Sequence, residues 1–255
     1  MGASAQELGL WKQIDDAEDY LLSGLFEQAV SAALSVSDQI RTVSLEAECD
    51  RDELLDILES AGMVLVQALK ELRRTSEMFV QLNSMFGSVA SVPAKVFLTG
   101  ATMQMAARSG SELRAIFDEY LAKWRYTDDE VYVLNGGQEI SLNGFVVTPV
   151  MSTKQYLEVA ELYTVTFLCI VSQDSETAIS WAEKAELSEQ GRQVLLFFGH
   201  IFLIIAISAS QPWMFKISDH FLARSGFFFF KKKFMNHVFM LAWDFTASQI
   251  IFMLT

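Results

Sequence analysis

The chain is predicted to be all-α, a series of antiparallel helical hairpins stacked as a solenoid or a bundle. Three observations predict it. Apolar residues recur at helical spacing through almost all of residues 5–188. The connections between paired helices are short, which places neighbours antiparallel. Two hairpin junctions share one pattern, Glu27-x-Ala29-Val30-Ser31-x-Ala33 and Glu176-x-Ala178-Ile179-Ser180-x-Ala182. Their small residues let the second helix of a pair sit close against the first.

The elements follow in order. Leu10, Ile14, Ala17 and Leu21 line one face of a first helix, and Ser23-Gly24 breaks it. Phe26, Ala29, Val30, Ala33 and Leu34 line a second. A third runs from about Asp52 to Arg73, with Leu54, Leu58, Ala61, Leu65, Ala68 and Leu72 in register. Met78, Leu82, Met85 and Phe86 mark a fourth. Pro93 suits the first turn of a fifth helix reaching about Ala107, since its missing N–H has no partner to lose there. Ser109-Gly110-Ser111 caps a sixth, with Leu113, Ile116, Phe117, Tyr120 and Trp124 on its buried side.

Residues 126–153 break the pattern. An acidic run, Asp128-Asp129-Glu130, precedes apolar Val131 to Leu134, then Asn135-Gly136-Gly137 and Gly144-Phe145-Val146-Val147. A small β-hairpin or a loop is expected there. Helical spacing resumes with Tyr156, Ala160, Tyr163 and Phe167, and again with Ala178, Ala182 and Ala185. The two junction patterns resemble the later half of a tetratricopeptide repeat, without its leading Trp-Leu-Gly-Tyr half. A divergent tetratricopeptide-like solenoid and a plain bundle are the two architectures left open.

Composition divides the chain at about Gln193. Residues 1–192 carry 14 Lys+Arg against 30 Asp+Glu, a net of −16, and residues 193–255 carry five against two, a net of +3. Thirteen of the twenty Phe lie in that last part, so an acidic helical domain at 1–192 is expected to be followed by an apolar tail at 193–255. Two membrane segments are candidates, 194–215 and 234–254. The first is 22 residues without a charged side chain, long enough as a helix for a hydrocarbon core of about 30 Å. Its anchor candidates are Val194, Leu195, Leu196, Phe197, Phe198, Ile201, Phe202, Leu203, Ile204, Ile205 and Ile207. Lys216, Arg224 and the Lys231–Lys233 run all follow it, which the positive-inside rule reads as a cytosolic far end. The second candidate carries Asp244 near its middle, an expensive group to insert.

No catalytic site can be assembled from these residues. His200, His220 and His237 all lie in the tail, so the acidic domain has no imidazole for a hydrolase triad, a zinc site or a general base. Neither a phosphate-binding Gly-x-x-x-x-Gly-Lys-Ser/Thr loop nor Gly-x-Gly-x-x-Gly occurs. Cys49 and Cys169 form no metal-ligand or disulfide pattern. No cofactor and no metal are expected. A net charge of −13 argues against nucleic acid. Carboxylate runs such as Asp15-Asp16-Ala17-Glu18-Asp19 read as solvated helix starts, or as a docking surface for a basic partner. Trp11, Trp124 and Trp181 read as core or inter-helix packing, with partner anchoring the alternative. The N-terminus shows no basic region before an apolar run, so no secretory signal is read there.

Five blocks carry a more specific resemblance. They are Leu58-Glu59-Ser60-Ala61-Gly62-Met63-Val64-Leu65-Val66-Gln67-Ala68-Leu69-Lys70-Glu71-Leu72 with Arg74-Thr75-Ser76, Val92-Pro93-Ala94-Lys95-Val96-Phe97-Leu98-Thr99-Gly100-Ala101, Phe117-x-x-Tyr120-Leu121-x-Lys123-Trp124, Gln155-Tyr156-Leu157-Glu158-Val159-Ala160-Glu161-Leu162-Tyr163 and Ala178-Ile179-Ser180-Trp181-Ala182-Glu183-Lys184-Ala185. Over roughly residues 10–193 the chain resembles the plant aberrant-peroxisome-morphology-9 family. The resemblance implies a tail-anchored peroxisomal membrane protein whose cytosolic helical domain tethers the peroxisomal AAA-ATPase complex, in support of import-receptor recycling and matrix-protein import. It implies no enzymatic activity. The tail departs from the family. Phe227-Phe228-Phe229-Phe230-Lys231-Lys232-Lys233 resembles a translated T-rich noncoding stretch, and residues from about Gln193 are expected to be a retained-intron or alternative ending.

Overall fold

Apolar faces that no single helix can bury alone bring the first three helices together. α1 (Ala5–Leu22) and α2 (Phe26–Val43) form an antiparallel hairpin, and α3 (Arg51–Glu71) packs against both. Ile14 and Ala17 of α1 meet Ala29, Ala33, Val36 and Ile40 of α2 and Ile57, Leu58, Ala61 and Leu65 of α3, all almost fully buried. Polar contacts fix the edges of this unit. The Trp11 indole N–H donates to Glu53, and Gln13 and Gln39 exchange amide hydrogen bonds at 2.8–2.9 Å. The computed structural model describes residues 5–43, 51–107, 112–127, 131–134, 140–142, 145–147 and 149–209.

α4 (Met78–Phe86) and α5 (Ala94–Ala106) lie against α3, and α6 (Leu113–Ala122) follows. A chain of rings holds this middle layer together. Phe97 of α5 stacks on Tyr120 of α6 at 3.8 Å and meets Phe79 of α4 and Phe117 of α6, each at 5.3 Å. The buried Tyr120 hydroxyl donates to the Val92 carbonyl at 3.0 Å, so the ring's polar end is satisfied. Pro93 stands one residue outside the place expected for it. Its extended ψ of 141° makes it the N-cap of α5, and the helical turn begins at Ala94.

The region at 126–153 is more than a hairpin, and it starts earlier. β1 (Trp124–Tyr126), β2 (Val131–Leu134) and β5 (Val150–Ser152) form an antiparallel sheet in the order β1-β2-β5. β3 (Ile140–Leu142) and β4 (Phe145–Val147) pair as a separate ribbon. Trp124 therefore does not extend the buried face of α6. The helix ends at Ala122, and Trp124 is buried from a strand, paired in register with Leu134. The expected cap at 109–111, the acidic run at 128–130 and the turn at 135–137 lie outside the described residues.

Ser152 joins sheet to helix with a capping box shared with Gln155. α7 (Thr153–Glu161) then widens into a π-helix, Leu162–Val171, which is followed by α8 (Ser175–Lys184) and α9 (Glu189–Ala209). The π-helix, α8 and α9 pack mutually, giving a second three-helix group at the C-terminal side. The two repeated junction patterns occupy the same positions. Ala29 and Ala33 are the fourth and eighth residues of α2, as Ala178 and Ala182 are of α8, and all four are buried. α9 runs without interruption through Gln193, so a helix of the folded body crosses the compositional break.

Candidate functional site

An open groove of about 540 Å³ lies where α6 hands over to β1 and faces α8. Leu121 and Trp124 come from the helix-to-strand turn, Tyr156 from α7, and Trp181 from α8. Leu121, Trp124 and Tyr156 are buried and form the floor, while Trp181 is half-buried along one wall. Asp118 of α6, Arg125 of β1, Lys184 of α8 and Glu186 just after α8 also line it. All four are exposed at the rim.

α8 is pinned at both ends, which fixes that wall. At its start, Asp174 is the N-cap and accepts the Thr177 backbone N–H at 3.1 Å. Arg114 of α6 donates to the other Asp174 oxygen at 2.6 Å. That hydrogen bond holds the Asp174 carboxyl below the usual carboxylate range. At the far end, Arg192 of α9 donates to the Glu183 and Ala185 carbonyls at 3.4 and 3.3 Å, and the Ala185 carbonyl also accepts the Leu187 N–H at 2.9 Å.

Tyrosines brace the floor. Tyr132 of β2 stacks on Tyr156 at 3.8 Å, and its hydroxyl donates to the Glu186 carbonyl at 2.6 Å. Tyr163 donates to Asp118 at 2.6 Å and meets Trp181 edge-on at 5.5 Å. Burial pushes the Tyr132 phenol up to about 12, with Tyr126 and Glu186 adding to it. Burial also pushes Tyr156 and Tyr163 up, so all three are neutral donors near neutral pH.

The groove offers aromatic surface, hydrogen-bonding groups and charges of both signs. Burial raises the Cys169 thiol, leaving it protonated at neutral pH. His200 is exposed on α9, outside the groove, with its ring Nδ1 2.7 Å from the Leu196 carbonyl. Among the described residues no three His, Cys, Asp or Glu side chains cluster to hold a metal. Trp124 and Trp181 were expected to pack between elements, and they do. Arg125 and Lys184 carried no signal in the sequence, because only the fold brings β1 and α8 to line one groove.

The anchor candidates divide between two faces of α9. Leu195 and Phe198 are buried, and Phe202 packs onto the main core. Leu196, Ile201 and Leu203 are half-buried, while Val194, Phe197 and Ile204 are exposed. Ile205 and Ile207 continue the helix, with side chains outside the described residues. Among the described residues no helix is long and apolar enough to cross a membrane. Residues 210–215 and the second candidate, 234–254, lie outside them.

Antiparallel helices, a small sheet insert and a braced groove define an α-helical domain with a β insert. Residues 92–201 match the family model of the APEM9 helical domain, which takes in the entire groove and extends past Gln193. The chain is 38% identical over 205 residues to Protein APEM9 of Arabidopsis thaliana, across 79% of this chain and 61% of that protein. The chain belongs to the APEM9 family. It spans about three fifths of the length of that relative. No solved structure matches it.

Proposed function

We propose that this chain is a non-enzymatic peroxisomal membrane tether, with its helical body facing the cytosol and recruiting the peroxisomal AAA-ATPase complex. In that role it serves import-receptor recycling and matrix-protein import. The single observation carrying this reading is the 38% identity to Protein APEM9, a peroxisome-related protein. The fold is in keeping with it. The groove offers a binding surface braced by neutral tyrosines, and its chemistry is that of docking. The test is co-purification of an AAA-ATPase with the full-length chain, combined with organelle fractionation and alkali extraction. Retention in the alkali-resistant membrane pellet together with the ATPase is the expected result. Absence of the ATPase from the purified chain overturns the recruitment role.

A second reading is a soluble helical scaffold for a cytosolic partner. One observation favours it: Leu195 and Phe198, inside the first candidate membrane segment, are buried in the body. Release of the chain into the soluble fraction by alkali selects this second reading.

A further inference from the structure

α9 ends the described body with an apolar face turned away from it. Leu195, Phe198 and Gly199 pack inward, Gly199 directly against Ile179 of α8. On the other side Val194, Phe197 and Ile204 are 41, 41 and 49% exposed, and half-buried Ile201 continues the row. These four stand three, four and three residues apart, so they form one stripe along the helix. No Asp, Glu, Lys or Arg occurs from Gln193 to Phe215 to interrupt it. A helical stack meets water through polar side chains at its ends. α1 does so at the other end, where Lys12, Asp15, Asp16 and Asp19 are exposed. The α9 stripe does not.

The body itself shows what covers such a face. In each three-helix group a hairpin with the same junction pattern receives a third helix, α3 in the first and α9 in the second. α3 is buried on two sides. Beyond its contacts with α1 and α2, a Cβ at Gly62 would lie 3.2 Å from Phe86 of α4 and from Val96 of α5. The cover over α3 is therefore the chain that follows it. α9 has no such cover among the described residues.

The residues that follow α9 have the pattern to supply one. Residues 210–225 lie outside the described residues, and their sequence predicts a helix. Pro212 cannot continue α9 but suits the first turn of a new helix after Ser210-Gln211. Ser225-Gly226 is a stop. Between them Trp213, Ile217 and Phe221 recur every four residues, while Lys216, Asp219 and His220 share a different side. A helix over 212–225 is about 21 Å long, against about 20 Å for Phe197–Ala209. A connection this short returns it antiparallel, with Ile217 level with Ile204 and Phe221 level with Ile201 and Phe197. Charge agrees, since residues 193–255 carry a net of +3 and residues 1–192 a net of −16.

We propose that residues 212–225 dock as an antiparallel helix on the Val194, Phe197, Ile201 and Ile204 face of α9 and close the C-terminal end of the body. Residues 194–215 then belong to a helical hairpin and not to a membrane span. The second candidate segment, 234–254, stays free for a membrane, so the inference stands apart from the tether reading.

A single docked helix opens well before the body unfolds, so the readout is local and not a denaturation midpoint. The experiment uses the full-length chain in mild detergent with Cys49→Ser, while Cys169 is kept because it is buried. Two double variants are treated with a short bis-maleimide. Ile204→Cys/Ile217→Cys bridges the docked faces, and Ile204→Cys/Asp219→Cys spans nearly the same sequence but ends on the far side of the new helix. The first pair is expected to cross-link within one chain about tenfold faster than the second. In a chain carrying Ile204→Cys alone, adding Ile217→Asp/Phe221→Asp is expected to speed aqueous maleimide labelling about tenfold. Those two positions lie outside the described body, so its own packing is untouched. Equal cross-linking of the two pairs overturns the inference. Cross-linking into dimers also overturns it, making a second copy the occupant. So does labelling that ignores the two aspartates but slows when phosphatidylcholine–phosphatidylserine vesicles are added, which makes the occupant a bilayer surface.

Discussion

Gly199 of α9 lies against Ile179 of α8 with no room for a side chain between them. A Cβ at Gly199 would fall 2.7 Å from Ile179 Cγ1, closer than two carbons can sit. Gly191, two turns earlier, has Leu157 of α7 3.2 Å from the same imagined position. With Leu195 and Phe198 buried on the same side, α9 is a packed helix of the body. Gly199→Leu is therefore expected to destabilise the chain by about 1–3 kcal/mol through overpacking, read as a lower urea midpoint. Ile204→Ser, on the exposed face, is expected to change it by less than about 0.5 kcal/mol. A helix 194–209 surrounded by lipid would rank the two substitutions the other way round.

The two hairpins that share a sequence pattern also share a turn. Gly24 and Gln173 each stand two residues before the second helix of the pair, and both have left-handed backbones, φ 74° and 55°. Leu25 N–H reaches back to the Tyr20 carbonyl and Asp174 N–H to Leu168, both at 2.8 Å, the second spanning one residue more because a π-helix precedes it. Glycine takes this conformation without strain, whereas a residue with a Cβ does not. Gln173→Gly is expected to stabilise the chain by up to about 1 kcal/mol, and Gly24→Ala to destabilise it by about 1 kcal/mol. Opposite shifts in the thermal midpoint check the pair. Shifts of the same sign would mean that the two turns are not equivalent.

Helical faces were legible because a single strand of sequence contains them. Ile14, Ala17, Ala29, Ala33, Leu58 and Leu65 declare their burial by spacing alone, and each is buried. Trp124 was misplaced for the same reason. It lies four residues after Tyr120, so local spacing continues the helix, while the partner that makes it a strand residue, Leu134, is set by pairing across a turn. The π-helix is apolar on nearly every side, so its wider turn leaves no periodic trace. The groove was least legible. Its cations come from β1 and α8, its floor from α6, β1 and α7, and no short motif spans those elements.

Asp174 supplies a prediction about acid. Arg114 and the Thr177 backbone hold its carboxyl below the ordinary value of about 4. A depressed carboxyl contributes stability above its unfolded pKa and loses it as pH falls through the folded one. The gap in stability between wild type and Asp174→Ala is expected to be about 1 kcal/mol at neutral pH, the ordinary worth of an N-cap. It is expected to shrink steadily as pH drops below about 4, where the wild-type carboxyl also loses its charge. Asp174→Asn keeps an acceptor for Thr177 and is expected to lose less. Urea midpoints for the three chains across the acid range check this, and a gap that stays constant with pH would assign the effect to something other than the carboxylate.

Tyr132 makes the opposite prediction at alkaline pH. Its ring is almost fully buried against Tyr156, and burial raises its phenol to about 12. An unfolded tyrosine ionises near about 10. The unfolded chain therefore releases this proton first, so the stability tied to Tyr132 is complete below about pH 10 and is lost as pH rises through about 12. Tyr156 is raised by burial as well, and ionising either ring places a charge in the stack under the groove. Tyrosinate absorbance and circular dichroism titrated together are expected to show the buried tyrosines ionising in step with loss of helicity. Tyr132→Phe removes the hydrogen bond to the Glu186 carbonyl and is expected to cost about 1 kcal/mol at neutral pH. Because the variant has no proton to release at this position, its stability is expected to fall less steeply between pH 10 and 12. Ionisation of all six tyrosines near pH 10 with the helices unchanged would show that the stack is open to water.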